Sequence, residues 1–332
     1  MAGRRTNLAL AALLGIAAAT GVVAFGIGTE WVRPILVVHG VAAVAIVLLA
    51  PWKTIIARRG LKRQRDGSPL SILLAGLVVT TLISGVAHSV FKVTSVGPLE
   101  IMQVHVGAAV GAIFAAVAHV WQRPQRLRVS DLSRRNFLRT GALAATAVLG
   151  YFAVEAIAGA TGVPGGKRRF TGSHEQGSGD PSAMPVTSWL NDTPPVLGPE
   201  HLLLVTSPTG TQQLTLEELA AFDDRVTATL DCTGGWFATQ EWTGARLDRL
   251  IEATGSSVRV VSATGYERRF PMADVDDLLL ATHFGGTPLS VGHGAPLRLV
   301  APGRRGFWWV KWVSEIVIDD RPAWWQPPFP LT

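Results

Sequence analysis

Five long apolar runs in the first half of the chain restrict its fold more than anything else in the sequence. They are Leu8–Ile27, Pro34–Pro51, Leu70–Phe91, Ile101–Val120 and Gly141–Ala160. A helix crosses the hydrocarbon layer of a bilayer with about 20 residues, and each run is close to that length. A bilayer offers no partner to backbone N–H and C=O groups, so a spanning segment must satisfy its own, as a helix does. Residues 1–160 are therefore expected to form an all-α transmembrane bundle of about five helices. The basic start at Arg4 and Arg5 also fits a cleaved leader, but the length of the first run favours a retained helix.

The loops orient this bundle. Arg4 and Arg5 precede the first run. Lys53, Arg58, Arg59, Lys62, Arg63 and Arg65 separate the second from the third, and Arg123, Arg126, Arg128, Arg134, Arg135 and Arg139 separate the fourth from the fifth. The other two loops hold only Arg33 and Lys92. Lys and Arg accumulate on the cytoplasmic side, so the N-terminus is expected inside and everything after residue 160 outside. The net charge of +6 is accounted for by these clusters and is not a nucleic-acid signal. Ser133-Arg134-Arg135-Asn136-Phe137-Leu138-Arg139, with an apolar stretch after it, resembles the twin-arginine export motif. That resemblance implies the twin-arginine machinery as a partner and a C-terminal domain exported folded.

Ionisable residues inside a membrane are costly and mark function by default. His39, His88 and His105 fall near the outer ends of their helices, and His119 near an inner end. His105 and His119 share a helix face about 21 Å apart, a spacing that resembles the two-haem helices of b-type cytochromes. No other helix offers an inner histidine. One haem b in the outer leaflet, held by His39 and His105 with His88 as substitute, is the most this pattern supports. A quinone site, or histidines hydrogen-bonded between helices, would leave the same pattern.

Residues 161–184 are rich in Gly, Ser and Pro and read as a tether, with His174 solvated in it. From residue 185 the chain reads as an α+β domain. Strands are expected at His201–Thr206, Arg225–Asp231, Val258–Ser262 and Leu297–Val300. Helices are expected at Leu216–Ala221, capped by Thr215, and at Ala245–Glu252. Cys232 is the single cysteine, which excludes an intrachain disulfide and leaves one thiol as a candidate ligand.

Two segments carry a resemblance. One is Leu230-Asp231-Cys232-Thr233-Gly234-Gly235-Trp236, followed by Trp242-Thr243-Gly244-Ala245-Arg246-Leu247. The other runs from His293-Gly294-Ala295-Pro296-Leu297-Arg298 through Pro302-Gly303 to Val310-Lys311-Trp312. Together they resemble the sulfite-oxidase family of molybdopterin enzymes, over roughly residues 185–320. The resemblance implies a C-terminal domain (residues 185–332) of the sulfite-oxidase molybdopterin-binding fold, with Cys232 as the thiolate on molybdenum. It implies molybdopterin contacts from His293, Arg298, Trp309, Val310 and Lys311, from Thr187, Ser188 and Trp189, and from Thr233 and Gly234. Gly303-Arg304-Arg305-Gly306 either attracts an anionic substrate or is simply solvated.

There are departures from the family pattern. The residues after Cys232 lack the arginine that sulfite oxidases place there, and Thr187-Ser188 stands where their first strand has another. The pocket for sulfite is therefore expected to be absent, as is the family's second, immunoglobulin-like domain. In both respects the chain is more similar to bacterial methionine sulfoxide reductase catalytic subunits. The implied function is a membrane-bound molybdopterin oxidoreductase. It would move an oxygen atom to or from a small molecule outside the cytoplasm, and exchange electrons with the membrane, a quinone or a cytochrome partner. The alternative is a degenerate cofactor fold serving as a binding module on a membrane anchor.

Overall fold

The computed structural model describes residues 2–61, 68–122, 124, 128, 131, 133–189, 192–252 and 254–330. Lys62, Arg63, Arg65, Arg123 and Arg126 of the basic loops lie outside the described residues. The chain divides into two compact units, Met1–Phe25 with Glu30–His174, and Gly26–Thr29 with Glu175–Thr332.

The first unit holds α1 (Ala2–Gly26), α2 (Arg33–Leu61), α3 (Ser68–Phe91), α4 (Ile101–Gln122) and α5 (Arg134–Thr161). All five are long and apolar enough to cross a membrane. A minimal hairpin, β1 (Ser95–Val96) with β2 (Leu99–Glu100), joins α3 to α4. The burial pattern is compatible with helices packed in lipid. Small residues such as Ala45, Ala112, Ala115 and Ala147 are buried, whereas Phe114 and Leu149 are 72% and 70% exposed. Close packing through small residues substitutes for a hydrophobic drive that lipid does not provide.

Two helices outrun their apolar cores. α2 continues through Arg58 and Arg59 to about 43 Å at 1.5 Å per residue, longer than the hydrocarbon layer. α5 begins at Arg134 rather than at residue 141, so the paired arginines form its first turn behind Ser133. It ends at Gly162, whose φ of 70° supplies the left-handed C-cap.

The segment expected to be a tether is ordered. It contains a 3₁₀ turn at Pro164–Lys167 and the short strand β3 (His174–Glu175). Its glycines serve close approach instead of flexibility. A Cβ at Gly165 would lie 2.5 Å from the Ser89 carbonyl oxygen of α3, and one at Gly166 would lie 2.9 Å from that of Ala158 in α5. Arg168 then pairs with Glu155 and donates to the Ser89 carbonyl at 3.2 Å. His174, expected in solvent, is 4% exposed, and its Nε2 donates to the His88 carbonyl at 2.7 Å.

The second unit is a mixed domain of two sheets with one-turn helices. Its strands are β4 (Leu202–Ser207), β5 (Gly210–Thr215), β6 (Asp224–Asp231), β7 (Trp236–Arg246), β8 (Ser257–Ser262), β9 (Glu267–Pro271), β10 (Leu279–Phe284), β11 (Thr287–Pro288), β12 (Arg298–Val300) and β13 (Val313–Asp319). One sheet runs β5-β4-β13-β8-β9, with β4 and β13 parallel. In the other, β7 lies between β6 and β10, and β10 also pairs with β11 and β12.

The helix expected at Leu216–Ala221 is α6 (Leu216–Ala220). Thr215 and Glu218 complete a reciprocal capping box there. The helix expected at Ala245–Glu252 is absent. β7 continues to Arg246 and only a 3₁₀ turn, Leu247–Arg249, follows. The reason is the neighbour on each side: Gly244 pairs with Asp224 of β6 and with Ala281 of β10. A Cβ on Gly244 would come within 2.0 Å of the Leu280 carbonyl oxygen, so the glycine lets the sheet close there. The core is centred on Trp242, fully buried, with Phe284 stacked on it at 5.5 Å and Trp309 edge-on at 5.4 Å.

Candidate functional site

β6 and β7 form a hairpin whose connection carries Cys232, Thr233, Gly234 and Gly235. Cys232 N–H donates to the Trp236 carbonyl at 2.9 Å, and Gly235 N–H to the Cys232 carbonyl at 3.1 Å. Gly235 closes the turn at φ 93°, where a side chain would be strained. The Gly234 amide points at the thiol, with N to Sγ 3.3 Å. The hairpin thus presents one largely buried sulfur from a rigid strand end, with a backbone donor directed at it.

The sulfur faces a recess of about 620 Å³ of atom-free space, part of it open to solvent. Cys232, Thr233, His293, Arg298, Trp309 and Lys311 line it, as do Thr187, Ser188 and Trp189. The last three come from coil and not from a strand. Trp236 Nε1–H donates to Thr187 Oγ at 3.1 Å and so ties that coil to the cysteine turn.

Cations come from two adjacent backbones. Arg298 of β12 and Lys311 pair across an antiparallel bridge, held by the Leu299 amide donating to the Val310 carbonyl at 2.8 Å. Val310 is itself fully buried and does not line the recess; its backbone spaces the two cations. Gly294, at φ 109°, passes behind both: a Cβ there would lie 3.1 Å from Lys311 Cβ and 3.2 Å from Arg298 Cβ.

The electrostatics show what is balanced and what is not. Arg298 is 3% exposed and donates to the His293 carbonyl at 2.9 Å. Its Nε is buried without a hydrogen-bond partner among the described residues. Burial pushes the guanidinium down to about 10, opposed by Cys232, so it stays charged at neutral pH. Lys311 donates to the carbonyls of Thr187 at 2.9 Å and Gly292 at 2.6 Å; burial, and then Arg298, push it down to about 7. A buried cation with an unmet donor beside a second depressed cation is a site for an anion.

His293 plays a different part. Its Nε2 donates to the Met184 carbonyl at 3.1 Å, which leaves Nδ1 to accept from Ser290 Oγ at 2.8 Å. Both ring nitrogens are spent on holding the loop, and burial followed by Arg298 lowers its pKa.

Of Arg304 and Arg305, expected either to attract an anion or to be solvated, Arg305 does neither, while the Arg304 side chain stays 39% exposed. Arg305 is buried in an ion pair with Asp231 and donates to the Cys232 carbonyl at 3.2 Å. Arg304 pairs with Asp274. Arg305 therefore anchors the cysteine turn from below.

Tyr266, Phe307 and Asp192 also line the recess and were not legible beforehand. Tyr266 donates to the Phe307 carbonyl, and Trp189 packs on Phe307 at 5.6 Å. Leu230, Trp236 and Gly306 also line the recess, and they sat inside the quoted motifs.

In the first unit, His39 and His105 come together, with ring centroids 6.3 Å apart. His88 does not join them; its ring meets that of His174 at 5.0 Å. His119 lies beside Ser71 Oγ at 3.4 Å.

A buried cysteine at a hairpin turn, the buried Arg298 and the half-buried Lys311 meet at one recess, a candidate site for an anionic group with one soft ligand. Residues 192–325 match the family model described as an oxidoreductase molybdopterin binding domain, and the second unit has the mixed-sheet architecture of the sulfite-oxidase fold. The chain is similar to mitochondrial sulfite oxidase of Rattus norvegicus, at 29% identity over 185 residues, 43% of this chain and 34% of that one. It is also similar to the Drosophila melanogaster enzyme, at 28% over 164 residues, 38% and 29% of the two chains. Sulfane dehydrogenase SoxCD from Paracoccus pantotrophus aligns at 28% identity and TM-score 0.36, over 39% of this chain and 40% of that one. The chain spans about a third of the length of the curated relatives it matches.

Proposed function

We propose that the protein is a membrane-bound molybdopterin oxidoreductase that transfers an oxygen atom to or from a small molecule outside the cytoplasm. The observation that carries this reading is the buried Cys232 sulfur facing the same recess as Arg298, whose Nε lacks a partner. The residues present fit the group. Cys232 would bind molybdenum through sulfur, a soft donor that is deprotonated on coordination. Arg298 and Lys311 would take the pterin's phosphate and polar edges, with Thr187, Ser188, Trp189 and Thr233 on the recess wall. When bound, the group supplies two-electron oxygen-atom exchange. The chain's own residues orient and enclose it. Arg305 and the Gly234 amide fix the sulfur, and His293 holds the loop that carries Lys311's second carbonyl partner.

The absence of arginines at the two places where sulfite oxidases have them favours a neutral oxygen-atom donor or acceptor, such as a sulfoxide, over sulfite. Electrons would pass between this domain and the five-helix half, through one haem b at His39 and His105, to a quinone or a cytochrome partner. The positive loops favour a topology with both the domain and the outer histidines on the extracytoplasmic side of the cell membrane. Export would run through the twin-arginine machinery, reading Arg134 and Arg135.

Metal and pterin analysis of the purified full-length chain tests the reading. Stoichiometric molybdenum and pterin, both lost in Cys232→Ala, are expected. Their absence from well-folded native protein would leave a binding module on a membrane anchor.

A further inference from the structure

One local arrangement of α1 and α2, a histidine held against the preceding helix, recurs in α3 and α4. Ala17, Thr20 and Gly21 lie on α1; Thr81, Ser84 and Gly85 lie at the same spacing on α3. Each set meets one histidine from the following helix. His39 Nδ1 is 2.9 Å from the Ala17 carbonyl oxygen and 3.2 Å from Thr20 Oγ. His105 Nδ1 is 2.9 Å from the Thr81 carbonyl oxygen and 3.4 Å from Ser84 Oγ. The glycines let the rings lie against the helices. A Cβ on Gly21 would sit 3.2 Å from His39 Cε1, and one on Gly85 would sit 3.0 Å from His105 Cε1, with no other side chain near either.

These contacts fix the tautomers. A carbonyl only accepts, so Nδ1 must carry the proton in both rings. Thr20 and Ser84 give their own protons to the carbonyls of Ile16 and Thr80, both at 2.7 Å, and therefore accept as well. Each Nε2 is left as a bare lone pair, and neither has a hydrogen-bond partner among the described residues. Two lone pairs on rings 6.3 Å apart cannot bond to each other. In apolar surroundings they call for something electron-poor between them. Metal-bound histidines typically donate their other N–H to a backbone carbonyl, which is the arrangement seen twice here.

The spacing selects the guest. Two imidazoles on opposite sides of one ion, each with a metal–nitrogen bond of about 2 Å, have centroids about 6 Å apart. No group of three or more metal-ligating side chains exists among the described residues, so protein ligands alone do not complete a site for a bare ion. A tetrapyrrole brings four nitrogens of its own and needs two axial ones.

We propose that α1–α2 and α3–α4 are two copies of one half-site, each a helix notched by a glycine plus a carbonyl-locked histidine on the next helix, which together clasp a single bis-histidine haem through Nε2 of His39 and His105. The haem deepens the electron-exchange reading above and depends on it only for its purpose. The duplication makes a further demand: the two notches are equivalent and equally necessary.

The test is the absorption spectrum and pyridine haemochrome content of the detergent-purified full-length chain, with molybdenum measured on the same samples. One haem per chain, with a Soret band that shifts on dithionite reduction, is expected. His39→Ala and His105→Ala should each abolish it, and added imidazole should restore it. Gly21→Val and Gly85→Val should each lower occupancy about tenfold or more, as loss of outer-shell support does. His119→Ala should keep the full band. Retained molybdenum in the colourless variants shows that the chain has folded, so a misfolded variant is recognised as such. A colourless native protein with full molybdenum, including one that yields quinone on extraction, overturns the haem while sparing the molybdenum reading. Haem that survives both histidine variants, or that responds to only one of the two glycines, overturns the duplicated half-site.

Discussion

The two units bury polar side chains in opposite ways. In the first unit most of the buried apolar positions are alanines, and between its helices His39 and His105 meet main-chain carbonyls. In the second unit the buried polar groups include four arginines, Arg268, Arg269, Arg298 and Arg305. The difference follows from the surroundings. A bilayer cannot solvate charge, and the two histidines between these helices are side chains that can stay neutral. The second unit buries charge because each guanidinium finds a carboxylate, a carbonyl or an aromatic face: Arg305 has Asp231, Arg269 has Asp319, and Arg268 lies 4.1 Å from the Trp308 ring centroid. Arg268 and Arg298 each keep an Nε without a hydrogen-bond partner among the described residues, and Arg298 does so in the recess that Cys232 lines.

The sharpest way to break the comparison is to remove the one soft ligand. Cys232→Ala should lose molybdenum and reduce turnover with an artificial redox dye by more than about 100-fold, beyond the 10–100-fold typical of outer-shell partners. The haem band of the membrane unit should be unchanged. A simultaneous loss of haem would mean that the two units do not load independently.

Packing comes next. Trp242→Ala removes a fully buried ring from between Phe284 and Trp309. It should destabilise the second unit by about 3–5 kcal/mol. Phe114→Ala, at a position 72% exposed on α4, should change the stability of detergent-solubilised protein by no more than about 0.5 kcal/mol. Calorimetric or denaturant melts of the two variants compare the sites directly. Equal effects would remove the distinction between a lipid-facing and a core-facing aromatic.

Much of this was legible in the sequence, and the failures have a common cause. The five spans were readable because length and apolarity alone decide them. Cys232, Arg298 and Lys311 were found through motifs, and the capping box at Thr215 through its local pattern. What stayed hidden depended on a neighbour distant in sequence. Gly165 and Gly166 read as flexible because the carbonyls of Ser89 and Ala158 that they approach are far away in the chain. Residues 245–252 read as a helix because the strands on either side of Gly244 come from elsewhere. Arg305 read as either anion-attracting or solvated because Asp231, its partner, lies 74 positions earlier.

That last pair gives a third test. Arg305→Met leaves Asp231 buried and unpaired and should cost about 3 kcal/mol. The double variant with Asp231→Leu should regain most of it, since an apolar pair of similar volume avoids burying charge. If the double variant recovers stability but not molybdenum content, the ion pair serves to aim the cysteine turn. If it recovers both, the pair is replaceable packing and the turn is rigid without it.

The smallest expected effect is a pH dependence at His293. Burial, reinforced by Arg298, holds its pKa below the ordinary value of 6.5. The folded state therefore favours the neutral ring, whose Nδ1 accepts from Ser290 and whose Nε2 donates to Met184. Above the unfolded pKa neither state binds the proton, and the contribution to stability is fully present. As pH falls through about 6.5 the unfolded chain takes up a proton that the folded one refuses, so stability declines until the folded pKa is reached. His293→Gln keeps an acceptor and a donor but does not titrate. Its melting temperature should start below that of the native protein and fall less steeply between about pH 6.5 and 5. A variant that tracks the native acid limb in parallel would show that protons are taken up elsewhere, and would remove His293 as the titrating strut of the recess.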